Sequence, residues 1–204
     1  GWSDSYTDAI LRLMKGLKKT PCNQAIIGPW GHTWPERGVP GPSIGYLQVC
    51  VRWWDKWLKG IDNGAEQDPP IRFYTQEPAH STPDMSVRDG SWYQADAFHT
   101  GFEDGSVEMK FGETLECEPS VDRESVTEIT APGHVTHRSA LVTGTQVDTW
   151  LPMGSPIDLP REQTPDDRRS LCFTSKPLEK DLVISGQPVV KLRVSADGRK
   201  AFVF

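Results

Sequence analysis

The spacing of apolar residues predicts two helices and one buried strand within the first 60 residues. Over residues 5–17 apolar side chains recur every three or four positions, and Asp4 or Ser5 can cap the start of that helix. Residues 24–28, QAIIG, form a short apolar run that is typical of a buried strand in a parallel sheet. Residues 45–59 repeat the helical spacing more strongly. The apolar face of this second helix comprises Leu47, Cys50, Val51, Trp54 and Leu58.

The pattern changes after Gly60, which fits the C-terminal cap of the second helix. Residues 61–70 have the composition of a linker, and beyond them short apolar runs alternate with turns. Strands are predicted at residues 71–75, 106–111, 182–186, 189–195 and 201–204, and hairpin turns at Asp104-Gly105 and Asp197-Gly198. The sequence therefore predicts an α/β segment over residues 1–69 and an antiparallel β sandwich over residues 70–204.

Both ends of the sequence suggest that these two units are incomplete. The first helix follows only Gly1-Trp2-Ser3, without a strand to lead into it. The last apolar run ends at Phe204 without a polar tail, and a free apolar strand of that kind favours aggregation. We therefore expect both the α/β segment and the β sandwich to be truncated.

Composition narrows the classes of function. The formal net charge is −6 and no basic patch occurs, so we expect no nucleic-acid partner. The apolar runs are too short to cross a bilayer, so we expect no membrane partner. Four cysteines without close spacing favour reduced thiols in a cytoplasmic protein, and we expect no metal and no other cofactor. They are Cys22, Cys50, Cys117 and Cys172. The sequence opens on Gly-Trp and not on Met, so it does not decide whether the protein carries an export signal.

Two residues are candidates for acid–base chemistry. His32 follows the predicted buried strand, and functional groups of open α/β sheets gather in loops at the carboxyl ends of strands. A histidine that only hydrogen-bonds within a structured loop explains the same position. Asp4 precedes a helix and can be a simple cap, but a carboxylate there can also orient a histidine, as the acid of a Ser-His-Asp triad does.

Five stretches together resemble the X-Pro dipeptidyl-peptidase and cocaine-esterase-like serine hydrolases. They are GWSD at 1–4, IIGPWGH at 26–32, GPSIGYLQVCVRWWDKWLKG at 41–60, PPIRFYTQ at 69–76 and DDRRSLCFTS at 166–175. The resemblance implies an α/β-hydrolase core with an inserted helical cap and a C-terminal jelly-roll β sandwich. It also implies hydrolysis of esters or amides by a Ser-His-Asp triad, in which Asp4 matches the acid and His32 matches the histidine.

Residues 41–45, GPSIG, have the spelling of a nucleophile elbow, but we interpret the match as a coincidence. Such an elbow follows a strand, whereas Pro40 and Pro42 precede Ser43. In α/β-hydrolases the chain order is nucleophile, acid, histidine, and Ser43 comes after His32. Ser43 is therefore predicted to be the N-cap of the following helix, and the nucleophile is expected outside this sequence.

The expected function is that of a C-terminal fragment of a serine hydrolase, which supplies the acid and the histidine but is inactive alone. Its partners would be a small ester or peptide substrate and either the missing N-terminal part or a second copy. Tyr6, two residues after Asp4, is predicted to contact the acyl part of the substrate. Esterase, X-Pro dipeptidase and amide acylase activities all stay open.

A second hypothesis is a non-catalytic β-sandwich binding module for carbohydrates. Trp92, Tyr93 and Trp150 would then form a stacking platform for sugar rings. Packing of these aromatic side chains in the core is the interpretation that we favour, because strand-like sequence flanks them.

Overall fold

A computed structural model describes residues 1–17, 22–80, 82, 85–96, 107–113, 115–118, 125–131, 134–140, 142–144, 162–186 and 188–201. The described residues form three helices: α1 (Ala9–Gly16), α2 (Tyr46–Lys59) and the short α3 (Thr164–Asp167). The strands are β1 (Ala25–Ile27), β2 (Ile71–Gln76), β3 (Gly90–Ala95), β4 (Leu115–Glu118), β5 (Val126–Ala131), β6 (His134–Arg138) and β7 (Cys172–Ser175). Single 3-10 turns occur at Pro35–Arg37 and Ala65–Gln67.

The strands that the structure describes form three separate small sheets. The first has the order β1-β2-β3, in which β1 and β2 are parallel and β2 and β3 are antiparallel. The other two are the antiparallel pairs β4–β7 and β5–β6. The described chain is thus β-rich with few helices. The parallel pairing predicted for QAIIG is confirmed, and its partner β2 lies beyond residue 70, so hydrogen bonds join the two predicted units.

The second helix agrees with the sequence pattern at its C-terminal end. Gly60 has a φ of 72°, and α2 closes as the N–H of Gly60 donates to the carbonyl of Lys56 and the N–H of Ile61 to the carbonyl of Asp55. This is the left-handed cap that glycine favours. The prediction for Ser43 is wrong, because the cap position of α2 is Gly45 and no side chain caps the helix.

The first helix starts later than predicted. Its N-cap is Asp8, so neither Asp4 nor Ser5 caps it. The reason is local: the Asp4 carboxylate accepts the backbone N–H of Tyr6 at 2.9 Å, and the hydroxyl of Thr7 donates to the carbonyl of Asp4. These contacts fold residues 2–8 into turns instead of helix.

Several predicted strands of the C-terminal part differ from the structure. Residues 182–186 and 189–195 form no strand, and their apolar side chains are largely exposed, with Ile184 79% exposed. An apolar run becomes a strand only when a neighbouring strand pairs with it, and no described strand pairs with either of these runs. Asp197-Gly198 forms a bend without paired strands. Asp104-Gly105, residue 106 and residues 202–204 lie outside the described part of the chain.

The best-buried apolar residues gather around the first sheet and the loop that follows β1. They are Leu11, Ala25, Ile27, Trp30, Ala65, Ile71, Tyr74 and Met85. By contrast, the predicted apolar face of α2 is not buried: Leu47, Val51, Trp54 and Leu58 are each more than half exposed. Within the described ranges, no helix has both the length and the apolar character that a membrane crossing requires.

Candidate active site

Asp4 and His32 lie side by side in the structure. Oδ2 of Asp4 is 3.2 Å from Nδ1 of His32, although the two residues are 28 positions apart in the sequence. The Asp4 side chain is 14% exposed and the His32 side chain 35% exposed. The pair therefore lies at the edge of the core, with the imidazole facing outward.

Backbone hydrogen bonds bring the two residues together. The N–H of Trp2 donates to the carbonyl of Gly28 at 2.9 Å, and the N–H of Ser3 donates to the carbonyl of Trp30 at 3.2 Å. Residues 1–3 therefore run along the segment that leaves β1. Asp4 directly follows Ser3 on one segment, and His32 lies two positions after Trp30 on the other. The side chains of Asp4 and His32 therefore meet.

The surroundings of Asp4 favour its ionised form. Burial raises the pKa of Asp4, but the hydrogen bonds from the Tyr6 backbone N–H and from His32 outweigh burial and hold the pKa below its usual value. An ionised carboxylate accepts hydrogen bonds only, so it favours the His32 tautomer that carries a proton on Nδ1. That tautomer leaves Nε2 as an acceptor, which is the form a general base needs.

Nε2 of His32 has no hydrogen-bond partner among the described residues. The ring of Tyr6 lies beside the imidazole, with the ring centres 5.9 Å apart and the planes inclined by 42°. Tyr6 is itself 65% exposed. Ser43 is exposed, and no contact joins it to His32 in the part of the chain that the structure describes. The arrangement pairs a carboxylate with an accessible imidazole, and no hydroxyl or thiol among the described residues is hydrogen-bonded to that imidazole.

The loop that carries His32 is built around one buried side chain. Trp30 is 3% exposed, and its indole N–H donates to the carbonyl of Pro42 at 2.8 Å. An added Cβ at Gly28 or at Gly38 would come closer than 3.0 Å to several atoms of the indole ring, where ordinary contacts are 3.4–4 Å. Both positions therefore require glycine. The sequence signal for this arrangement was the density of Gly, Pro and Trp in residues 28–42.

The aromatic residues of the carbohydrate hypothesis do not share one surface. Trp92 lies edge-on to Tyr74, with ring centres 5.3 Å apart, whereas Tyr93 stacks on Phe73 at 5.9 Å. Successive residues of a strand point to opposite faces, so Trp92 and Tyr93 cannot stack on the same ligand. Trp150 lies outside the described residues.

Neither of two shallow concave regions in the described chain includes Asp4 or His32. One, of about 370 Å³, is lined by α2 residues and Asn63, and the other, of about 430 Å³, by residues 66–70 and 94–96. Within the described ranges, no group of three His, Cys, Asp or Glu side chains is placed to hold a metal ion.

The described residues thus define a β-rich domain joined to a carboxylate–imidazole pair. The chain belongs to the family of X-Pro dipeptidyl-peptidase C-terminal non-catalytic domains, whose model matches residues 36–204. Asp4 and His32 both precede the matched region. The pair therefore lies outside the part that the family description calls non-catalytic.

Two curated relatives connect the chain with serine hydrolases. Proteins named "Putative serine esterase" from Mycobacterium bovis and Mycobacterium tuberculosis are each 25% identical to it over 212 aligned residues. The alignments cover 97% of this chain and 30% of each relative, so the chain spans less than a third of their length. No solved structure matches the chain. The family and these relatives together indicate a relationship to serine hydrolases.

Proposed function

We propose that this chain is the C-terminal part of a serine hydrolase that cleaves ester or amide bonds through a Ser-His-Asp triad. The observation that carries the proposal is the hydrogen bond between Asp4 and Nδ1 of His32, with Nε2 left without a partner. Asp4 is the acid and His32 the general base of the triad. The nucleophilic serine belongs to a segment outside this sequence, so this chain alone is inactive.

The proposed chemistry follows from the roles of the two side chains. Nε2 of His32 removes the hydroxyl proton of the serine as its oxygen attacks the substrate carbonyl, and then gives that proton to the leaving alcohol or amine. The acyl group remains on the serine until water, activated by the same nitrogen, releases it. Asp4 keeps the imidazole in the productive tautomer and stabilises the imidazolium that forms in each step.

The finer architecture is part of the same proposal. Residues 1–69 are the C-terminal segment of an α/β-hydrolase domain, and residues 70–204 belong to a jelly-roll β sandwich. Two observations support this: His32 follows the carboxyl end of a parallel strand, as functional residues of such sheets do, and the β-strand pairs formed entirely after residue 76 are antiparallel.

The exposed apolar face of α2 supports the proposed partner. Leu47, Val51 and Trp54 are 52–58% exposed, and a contiguous apolar stripe on a helix normally packs against another element. We propose that the N-terminal part of the same protein covers it, or else a second copy of this chain. The exposed Tyr6 ring beside His32 is proposed to contact the acyl part of a small ester or peptide substrate in a cytoplasmic protein.

The test uses the intact protein that contains this chain. His32→Ala and Asp4→Asn are expected to lower kcat on an activated ester by about a thousandfold or more, because members of a triad act as one unit. Ser43→Ala is the matched control, and we expect its kcat within about twofold of the wild type because Ser43 has no place in the triad.

A fluorophosphonate probe, which labels only an activated serine, should modify a serine outside residues 1–204. His32→Ala should abolish that labelling, since the serine then lacks its base. Wild-type turnover in His32→Ala, or labelling of Ser43, would refute the proposed function.

A further inference from the structure

Strand β2 holds the segment that carries Asp4. The indole N–H of Trp2, two residues before Asp4, donates to the backbone carbonyl of Tyr74 on β2 at 2.5 Å. The hydroxyl of Thr7 donates in turn to the carbonyl of Trp2 at 3.3 Å. The turn that presents the acid is thus attached to a strand inside the family-matched region.

Strand β3 contacts the segment that carries His32. The ring of Trp30, two residues before His32, lies 6.1 Å from the ring of Trp92 on β3. Trp92 also packs edge-on against Tyr74, with ring centres 5.3 Å apart. Trp30 and Tyr74 are 3% and 5% exposed. The rings of Trp30, Tyr74 and Trp92 therefore form one aromatic cluster. The indole of Trp2 is joined to this cluster through its hydrogen bond to the backbone of Tyr74, so the cluster is connected to both segments.

We infer that Trp92 is a positioning residue for the Asp4–His32 pair. Through the aromatic cluster, strands β2 and β3 fix the two segments relative to each other, so a region matched to a non-catalytic family sets the geometry of the catalytic pair. The inference rests on the proposed function only for its effect on turnover; the effect on the Asp4–His32 hydrogen bond stands by itself.

The geometry explains why the cluster has this effect. His32 lies only two residues from Trp30 of the cluster, and Asp4 only two residues from Trp2, which is bonded to the backbone of Tyr74. A shift of Trp30 or of Tyr74 therefore passes directly to the pair. Their hydrogen bond is already 3.2 Å long, near the upper end of the usual range, so little further separation is tolerated. A displacement of about 1 Å at a catalytic group can cost about a hundredfold in rate.

Tyr93 provides a matched control. It follows Trp92 on the same strand and is similarly exposed, at 48% against 38%. It stacks on Phe73, on the face of the sheet opposite to the aromatic cluster. If activity is lost merely because an aromatic side chain of β3 is truncated, the loss should therefore be the same in Trp92→Ala and Tyr93→Ala.

The first experiment measures kinetics in the intact protein at a temperature where all variants are folded. Trp92→Ala is expected to lower kcat about 10- to 100-fold with KM changed less than about threefold, because the triad and not substrate binding is disturbed. Trp92→Phe should restore most of the activity, and Tyr93→Ala should stay within about twofold. Equal losses in Trp92→Ala and Tyr93→Ala would overturn the inference.

The second experiment does not depend on activity. In protein labelled with 15N-histidine, the Nδ1–H proton of His32 should give a downfield resonance that Asp4→Asn removes. Trp92→Ala should remove it too, whereas Tyr93→Ala should keep it. If Trp92→Ala does not fold, Trp92→Leu takes its place, because it keeps an apolar side chain and loses only the ring that contacts Trp30 and Tyr74.

The two experiments separate the two claims. Loss of the resonance in Trp92→Ala, together with full turnover in His32→Ala, would support the positioning role and refute the triad. An unchanged resonance in Trp92→Ala, or in Trp92→Leu where that variant is used, would refute the positioning role whatever His32→Ala does.

Discussion

Replacing Gly28 by alanine should damage the loop that carries His32. A Cβ at this position would lie 2.5 Å from Cζ2 of Trp30, and ordinary contacts begin at 3.4 Å. The indole would have to move by about 1 Å, the difference between these distances, to relieve the overlap. It has little room to do so, because Gly38 lies against the same ring and the ring is 3% exposed.

The magnitude follows from two contributions. Overpacking a filled core site typically lowers the free energy of unfolding by about 1–3 kcal/mol. Displacing the ring also strains the hydrogen bond from the Trp30 indole to the Pro42 carbonyl, which is worth about 1 kcal/mol. We expect Gly28→Ala to lower the free energy of unfolding by about 2–4 kcal/mol, a large part of the roughly 5–15 kcal/mol of a typical domain.

Urea unfolding of the intact protein, followed by circular dichroism, measures this loss. Gly16→Ala is the matched control: Gly16 is the last residue of α1, and a Cβ there meets no atom within 4 Å. Because alanine is the better helix former, Gly16→Ala should be neutral or stabilising by up to about 1 kcal/mol. If Gly28→Ala unfolds at the same urea concentration as Gly16→Ala, the packing argument for the His32 loop is wrong.

Three further predictions concern acidity, the substrate and association. The pKa of Asp4 is lowered in the folded protein, so the ionised carboxylate stabilises the fold at neutral pH and this contribution is lost as the pH falls below about 4. Thermal melts should therefore show that the difference in stability between wild type and Asp4→Asn narrows below that pH. A difference that stays constant would contradict the lowered pKa. Tyr6→Ala should reduce kcat/KM unequally for two esters that differ only in acyl size, and equal effects would count against acyl contact. The 204-residue chain alone should self-associate or melt without cooperativity, because the apolar face of α2 is exposed; a cooperative 22.8 kDa monomer in sedimentation would disprove this.

The sequence predicted best those features that local signals determine. Helix α2 and its cap Gly60 follow from helical spacing and from a glycine that can adopt positive φ. Strand β1 follows from a short apolar run. The predicted start of α1 was wrong because local contacts of Asp4 with Tyr6 and Thr7 fold residues 2–8 into turns, which helical spacing does not reveal. The strand predicted at residues 189–195 is wrong because a strand needs a neighbouring strand, and the apolar pattern of one segment does not reveal whether such a neighbour exists.

The candidate site was predictable in part. Resemblance to the hydrolase family indicated both Asp4 and His32, and the structure places them in hydrogen-bond contact, while their catalytic role stays a proposal. The aromatic cluster was not predicted. Trp30 and Trp92 meet across a long stretch of sequence, and no periodicity connects them. The sequence pattern suggested a sugar platform or a core position for Trp92, and its contact with Trp30 instead supports the positioning role that we infer.

The family match and the physical organisation of the chain divide it at different places. The match begins at residue 36, within the loop that carries His32. Yet this loop is held together across that point, because the N–H of Gly31 donates to the carbonyl of Val39 and the Trp30 indole to the carbonyl of Pro42. Dividing the chain at residue 36 would leave these buried donors without acceptors, at a cost of about 1–3 kcal/mol for each group.

The same reasoning applies to the predicted division between residues 69 and 70. Residues 25–27 pair in parallel with residues 71–73, so the strand before His32 and the first strand of the predicted sandwich share a hydrogen-bonded ladder. The loop that carries His32 is therefore held in place by both strands of this ladder, one from each predicted unit. If the triad assignment is right, the β-rich part acts as the support against which the acid and the histidine are aligned. Substitutions on β2 and β3 should then alter turnover more than their distance in sequence from His32 would suggest.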